Sequence, residues 1–207
     1  MRTSLFFTAF ISFLFCLGCS DNSVSPEQGD KFQAFRTDMR VLWSDHALWT
    51  RNVIINIVDG LPGTTEAVNR LLQNQVDIGN AIKPHAGIAA GDTLTALLTE
   101  HIVVAADLLT AAKANDTEAF QTAHDKWYAN GEEIAAFLAA VDPEQDHPHD
   151  WSSMMKTHLD LTLEEAVARL TADYAADVIA YDKVYAELME MSDMISSCIL
   201  DAFPEKF

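Results

Sequence analysis

Residues 92–114 read DTLTALLTEHIVVAADLLTAAKA, and this stretch decides the fold class. Apolar residues, with one histidine among them, recur in it at spacings of three and four positions. A helix turns once in 3.6 residues, so residues at these spacings share one face. The residues on this face are Leu94, Leu97, His101, Ala105 and Leu108. The stretch therefore predicts a long helix whose apolar face is turned toward a core.

The same spacing extends outward through most of the chain, and no segment alternates between apolar and polar residues as a strand does. The other predicted helices span residues 32–58, 63 or 64 to 82, about 115–142, a short segment from residue 151, and 162–202. Short connections make neighbouring helices antiparallel. The sequence therefore predicts an all-α protein, an up-and-down helical bundle of four long helices plus extra shorter helices.

Turn and capping signals separate these helices. Asp59-Gly60-Leu61-Pro62 ends the first, because proline breaks a helix. Asn115 and Thr162 each stand three residues before a glutamate, the spacing of a capping box, so new helices are expected to begin there. The helix from Thr162 meets no Gly or Pro before Ala202 and is expected to be about 60 Å long.

Residues 1–18 have the layout of an export signal, with a short positive start and an apolar run before Cys19. The run is shorter than the roughly 18 to 20 residues that a membrane-spanning helix needs. Gly18-Cys19 resembles the lipobox of bacterial lipoproteins, although Cys16 stands where that motif usually has leucine. The resemblance implies a lipid on Cys19 that anchors the protein in the cell envelope, and Ser20 after it favours the outer membrane, facing the periplasm.

The mature chain is expected to comprise a flexible tether, residues 19–31, and one helical-bundle domain, residues 32–207. A redox pair of Cys16 and Cys19 is excluded, because such pairs start a helix that follows a strand. With Cys19 acylated, Cys198 is the only thiol of the mature chain, so an intramolecular disulfide is impossible. The core alone must hold the fold.

The charge of the chain restricts its partners. It carries 31 acidic and 13 basic residues, a formal net charge of -18, and no cluster of Lys or Arg. Such a surface repels phosphate, which excludes nucleic acid as a partner, and it attracts cations. The chain is 49% hydrophobic, which excludes a disordered protein.

Four histidines on four helical segments are candidate metal ligands: His46, His101, His124 and His158. Each follows an apolar residue by four positions and is therefore expected to face the interior. Neutral imidazole suits Zn, Cu, Fe and Ni, so converging rings predict a transition-metal site. The alternative is four separate hydrogen-bonded core residues. A carboxylate-bridged di-iron centre is disfavoured, because Glu-x-x-His occurs only at Glu144 and His147, in a loop.

A second candidate set has softer donors, which select Cu(I). Its members are His147, His149, Met154, Met155, Met191, Met194 and Cys198. The alternative is that the methionines fill gaps in the core, as methionines at helical spacing usually do.

Polar residues on the first two predicted helices form the third candidate set. Arg51 and Arg70 are scarce cations in an acidic chain, and Asn74 and Asp77 lie near Arg70 in sequence. The arginines are expected to pair with Asp77 or Asp177, or to bind an anionic ligand. A buried structural network is the favoured interpretation, because buried charges persist mainly when they are paired.

Two blocks, LWSDHALWTR at residues 42–51 and LLQNQVDIGNAI at 71–82, carry a resemblance, together with residues 127–138 and 158–170. They resemble a family of short bacterial all-helical proteins of no established function, some of which bear enzyme names such as acetylglutamate kinase or glycosyltransferase. A kinase or nucleotide-sugar site needs a strand and a glycine-rich turn that aims N–H groups at phosphate, and neither is predicted here.

The sequence leaves three functions open. The first is a non-enzymatic envelope lipoprotein that binds a transition metal, such as Cu, Zn or Fe, or another small ligand through the interior histidines. The second is a metal-dependent hydrolytic or redox enzyme that uses the same histidines, with an open coordination position. The third is an interaction module without a ligand site.

Overall fold

The computed structural model describes residues 26–142 and 149–207. The predicted export signal, residues 1–18, lies outside the described residues, as do the predicted lipidation site Cys19 and the candidate ligand His147.

The described residues form six α-helices and no strand, so the prediction of an all-α fold is confirmed. The helices are α1 (Pro26–Asp59), α2 (Thr64–Ala86), α3 (Ile88–Ala114), α4 (Thr117–Val141), α5 (Trp151–Leu170) and α6 (Tyr174–Ala202), with a 3-10 turn at Pro204–Lys206. The shortest α-helix has 20 residues. The predicted division into four long helices and several short ones is therefore not confirmed.

Helix α1 begins at Pro26, so residues 26–31 of the predicted tether are helical. Proline suits the first turn, where its missing N–H would have had no helical partner and its fixed φ is already helical. Polar composition made this segment look like a linker. In the structure it is an additional turn that reaches the chain end, where Gln28 donates to the Pro204 carbonyl oxygen.

The predicted helix over 162–202 is wrong, because the chain turns between Leu170 and Tyr174. Ala172 has a left-handed backbone, with φ of 59°, which ends α5 although no glycine is present. Asp173 then caps α6 by accepting a hydrogen bond from the Ala176 N–H. Thr162 lies inside α5, and its hydroxyl donates to the His158 carbonyl oxygen instead of capping a helix.

The boundary between α3 and α4 falls one residue later than predicted. Asn115 adopts a left-handed conformation, with φ of 55°, and ends α3. Asp116 is the residue that caps α4, accepting from the Ala119 N–H. Asparagine tolerates the left-handed region better than most residues, which is why Asn115 ends α3 and does not start α4.

Side-chain pairs show that neighbouring helices are antiparallel. Arg36 on α1 bonds to Asp193 on α6, whereas Arg51, further along α1, bonds to Asp177, earlier on α6. Hydrogen bonds in the same antiparallel order join the other helices, two of them to the backbone carbonyl oxygens of Asn56 and Leu97. They join α1 with α2 (Asp45–Arg70, Asn56–Thr64), α3 with α4 (Leu97–Asn130, His101–Trp127), α4 with α5 (Tyr128–Asp160, Glu132–Ser152) and α5 with α6 (Glu164–Lys183, Arg169–Asp177). Helices thus alternate in direction, and α6 closes the bundle against α1.

Helix α3 is long and apolar enough to cross a membrane by length and composition alone. Its buried residues include Leu94 and Leu98, which lie in the main core cluster with residues of α1, α4 and α6. The core helix of a bundle can have the same composition, because its apolar face is buried against other helices, and 44% of the apolar window of α3 is buried here.

Helices α2 and α3 approach each other closely at Gly79 and Gly91. A β-carbon on Gly79 would collide with Thr95 Oγ1 and would lie 2.6 Å from the Gly91 carbonyl oxygen. We therefore expect Gly79→Ala to lower the free energy of unfolding by about 2 to 3 kcal/mol in urea denaturation, because overpacking forces the helices apart. The matched control is Gly29→Ala on α1, where a β-carbon meets nothing within 4 Å. That change should stabilise slightly through helix propensity, and equal losses in both variants would contradict the packing argument.

Candidate functional site

Three of the four candidate histidines come together in the middle of the bundle. His46 on α1, His101 on α3 and His158 on α5 are 3 to 4% exposed. The His158 ring centroid lies 6.1 Å from that of His46 and 6.2 Å from that of His101. These three imidazoles therefore form one cluster, with His158 between the other two.

The three rings border a small cavity of about 20 Å³. Five helices contribute to its wall, and every other wall residue is apolar or aromatic. These other residues are Trp43, Leu94, Leu98, Ile134, Leu138, Met155, Met191 and Ile195. A space of this size holds about one water molecule. The cavity therefore suits a single ion or a very small molecule, and no larger substrate.

His101 uses both ring nitrogens within the bundle. Its Nδ1 lies 2.8 Å from Asn130 Oδ1, and the Trp127 indole donates to its Nε2 at 3.1 Å. The Asn130 amide nitrogen donates to the Leu97 carbonyl oxygen, so its Oδ1 is the acceptor that faces the ring. Burial lowers the pKa of His101 to about 3, with a further contribution from neighbouring His158. His101 is thus a neutral ring with a proton on Nδ1 and no lone pair left for a ligand.

His46 is held from α2 by two buried amides. The Gln75 amide nitrogen lies 3.3 Å from His46 Nδ1 and also donates to the Leu71 carbonyl oxygen. Asn74, beside it, donates to the Leu42 carbonyl oxygen. Burial lowers the pKa of His46 to about 3, and His158 and His101 lower it further. The imidazole is therefore neutral, the form that binds metals.

His158 is oriented by a carboxylate. Its Nδ1 lies 2.9 Å from Glu187 Oε2 on α6, and the Glu187 side chain is 13% exposed. The other carboxylate oxygen, Glu187 Oε1, is buried and has no hydrogen-bond partner among the described residues. This pairing leaves His158 Nε2 as the nitrogen that remains for a ligand, the arrangement in which carboxylates orient metal-binding histidines.

His124, the fourth candidate, does not join the cluster. Its side chain is 30% exposed, its ring stacks on Tyr128 at 4.5 Å between centroids, and its Nδ1 lies 3.3 Å from Asp125. Helix α4 presents Trp127 and Asn130 to the core instead. The spacing from an apolar residue placed His124 on the correct side of the helix but at the edge of the buried face.

The softer candidate donors divide between two places. Met155 and Met191 line the histidine cavity. His149, Met154, Met191 and Met194 line a surface groove of about 290 Å³ between α5 and α6. Cys198 is buried in the main core cluster and lines neither. Met191 is the one methionine that borders both the cavity and the groove.

Within residues 26–142 and 149–207, no group of three or more His, Cys, Asp or Glu side chains is arranged to hold a metal ion. The expectation of one site built from His46, His101, His124 and His158 therefore finds no support. The physical reason lies in the bonds of His101 and the surface position of His124. The donors that remain around the cavity are the imidazoles of His46 and His158 and the thioethers of Met155 and Met191.

Of the third candidate set, Arg51 stands at the centre of a buried ion cluster. Its guanidinium donates to Glu165 at 2.7 Å and to Asp177 at 2.8 and 3.1 Å. Asp177 is one of the two partners that the sequence predicted. Both carboxylates are 1% exposed. Arg169 extends the cluster by bonding to Asp177 and Asp59. Burial raises the pKa of Glu165 to about 7, against the opposing effect of Arg51.

Arg70 and its neighbours make separate contacts. Arg70 pairs with Asp45 at 2.7 Å and lies over the Trp49 ring, while Asp77 accepts a bond from Gln73. Neither expected carboxylate is the partner of Arg70. Arg70 and Asn74 join α2 to α1, whereas the bond to Asp77 lies within α2 at its surface.

Comparisons with models of known protein families, with curated proteins and with solved structures gave no match. The resemblance carried by residues 42–51 and 71–82 therefore stays a prediction.

Proposed function

We propose that the protein is an envelope lipoprotein with a non-enzymatic helical bundle that binds one soft, monovalent transition-metal ion. The observation that carries the proposal is the shared cavity of His46, His158, Met155 and Met191. Each donor comes from a helix of the rigid core, on α1, α5 or α6. Two imidazoles and two thioethers form a donor set that favours Cu(I), because a neutral thioether is a soft ligand that suits a soft, monovalent ion.

Charge supports a monovalent ion. Apart from the three imidazoles, the described residues that border the cavity carry no ionisable side chain, and the Glu187 carboxylate lies behind His158. Burying an ion that is not compensated by opposite charge is very costly. One cation in the cavity is balanced by the one carboxylate of Glu187 when His158 is neutral, whereas a divalent ion would leave an excess positive charge.

Size supports binding without catalysis. A catalytic metal keeps one coordination position open for water or substrate. The cavity of about 20 Å³ has room for the ion but not for a substrate beside it. A metal-dependent enzyme that uses the same histidines is therefore the less favoured function.

Direct titration tests the metal proposal. The full chain, purified without an affinity tag, is titrated anaerobically with Cu(I) in competition with a chromogenic chelator, and in parallel with Zn(II). We expect one Cu(I) per chain, with affinity falling at least about 100-fold in His46→Gln and His158→Gln and about 10- to 100-fold in Glu187→Gln, which removes the carboxylate behind the ligand. Zn(II) should bind far more weakly.

His124→Gln is the matched control, because His124 lies on the surface away from the cavity. Its affinity for Cu(I) should equal that of the wild type. Absence of bound Cu(I) after reconstitution, or an equal loss in His124→Gln and His46→Gln, would show that the cavity is not a metal site. Circular dichroism of each variant separates loss of binding from loss of fold.

The anchor is a proposal supported by the sequence of residues 1–19. Lipid on Cys19 would place the bundle in the envelope, where soft metal ions are handled outside the cytoplasm. Mass spectrometry of the mature N-terminus should find an acylated Cys19, and Cys19→Ser should release the protein from the membrane fraction. An unmodified Cys19 would refute the anchor without affecting the metal proposal.

A further inference from the structure

The groove between α5 and α6 has the composition of a cation-binding surface. It is about 290 Å³ in volume and carries the thioethers of Met154 and Met194, the imidazole of His149, and the carboxylates of Glu187 and Glu190. Among the described residues, no Lys or Arg side chain borders it. His149 is held in place by Asp142, which lies 2.7 Å from its Nδ1. Soft donors for binding and acidic side chains for attraction therefore stand on one surface.

The groove and the histidine cavity are neighbours that share a lining residue. Met191 borders both spaces, and it is buried, with 2% of its surface exposed. Glu187 borders the groove with one end and holds His158 of the cavity through Oε2. The remaining oxygen of Glu187 is buried and has no hydrogen-bond partner among the described residues. Glu187 and Met191 thus stand between the groove and the residues of the cavity.

We propose that this groove is a second soft-metal site, an inference that rests on the proposed function. Cu(I) binds there transiently through Met154, Met194 and His149, and it then passes Met191 into the cavity. The cavity is enclosed by five helices, so an ion has to enter between two of them. Between α5 and α6, Met154 and Met194 line the groove, Met155 lines the cavity, and Met191 borders both. Ligand exchange between successive sulfur donors leaves the ion coordinated along the way and needs no change of oxidation state.

Transfer kinetics test whether Cu(I) enters the cavity through the groove. Apo full chain is mixed with a Cu(I)–chelator complex in a stopped-flow instrument, and the loss of chelate colour is followed. The variant is Met154→Leu with Met194→Leu, since Leu and Met have similar volume and the exchange is tolerated in cores. The double variant removes the soft donors at the surface and leaves the groove's carboxylates in place, so a slower transfer reports lost coordination by sulfur and not lost electrostatic attraction. We therefore expect transfer to slow by at least about tenfold, with the equilibrium affinity changed less than about twofold.

Met189→Leu is the matched control, because Met189 is a half-buried methionine on α6 that borders neither the groove nor the cavity. Its transfer rate should equal that of the wild type. An unchanged transfer rate in the groove variant, with normal affinity, would refute entry through the groove and leave the cavity site intact. Cu(I) that is retained in His46→Gln but lost in the groove variant would instead refute the cavity as the binding site. No binding to the wild type would refute both.

Discussion

Replacing Arg51 by methionine is expected to lower the free energy of unfolding by about 3 to 5 kcal/mol, because it leaves two buried carboxylates without their cation. Glu165 and Asp177 are each 1% exposed and accept three hydrogen bonds from Arg51 between them. Of these two carboxylates, Arg169 contacts only Asp177, at 3.5 Å. Urea denaturation at pH 8, where Glu165 is largely ionised, measures the loss.

Two further variants isolate the buried charge as the cause. Adding Glu165→Gln and Asp177→Asn to Arg51→Met removes the uncompensated charges and should recover a large part of the loss. Arg40→Met is the exposed control, because Arg40 pairs with Asp193 at the surface and its side chain is 44% exposed. That variant should lose less than about 1 kcal/mol. If Arg51→Met costs no more than Arg40→Met, the cluster contributes little to stability.

Acid is expected to destabilise the metal-free protein through His46 and His101. The pKa of each is about 3 in the folded protein, against about 6.5 when the ring is in water. The folded state therefore binds fewer protons than the unfolded state between these values, and stability falls as the pH falls below about 6.5. Between pH 7 and pH 5 each histidine should contribute a loss of about 2 kcal/mol.

Glu165 acts in the opposite direction and has to be removed from the measurement. Its pKa is raised to about 7, so the folded state binds more protons than the unfolded state down to about pH 4.5, and stability rises as the pH falls through that window. In the Glu165→Gln background the loss from pH 7 to pH 5 should approach the sum for two histidines. His158, paired with Glu187, is the other titratable group that faces both rings.

His101→Gln in the Glu165→Gln background isolates one histidine. Glutamine retains an acceptor for the Trp127 indole and a donor for Asn130. The loss of stability between pH 7 and pH 5 should then fall by about half. An unchanged pH dependence would mean that burial of His101 does not oppose its protonation. Comparing slopes, and not absolute stabilities, avoids the cost of the substitution itself.

Much of the candidate site was within reach of the sequence. The four-residue spacing from Leu42 to His46 and from Leu97 to His101 predicts rings that face inward, because such residues share a helix face. The same rule predicted that His124 faces inward, but its ring lies at the edge of the buried face of α4 and is 30% exposed. The spacing cannot tell how wide the buried stripe is, because that width depends on how many helices pack around it.

The partners of the histidines were not within reach of the sequence. Asn130 and Trp127 occupy both nitrogens of His101, Gln75 approaches His46, and Glu187 holds His158. Each of these contacts crosses from one helix to another. Asn130 and Gln75 stand as amides on otherwise apolar faces, which was a usable signal, but an amide in sequence does not identify the histidine that it meets.

The sequence by itself determined the all-α class and most helix positions, because periodicity and turn residues act over a few neighbouring positions. It did not determine the turn at Ala172, where an alanine adopts a left-handed conformation that glycine or asparagine normally supplies. Only the tertiary structure decided which imidazoles meet, which nitrogens stay open and which methionines line the cavity. Those outcomes depend on the axial register and rotation of helices from distant parts of the chain, and the packing of the whole core sets both.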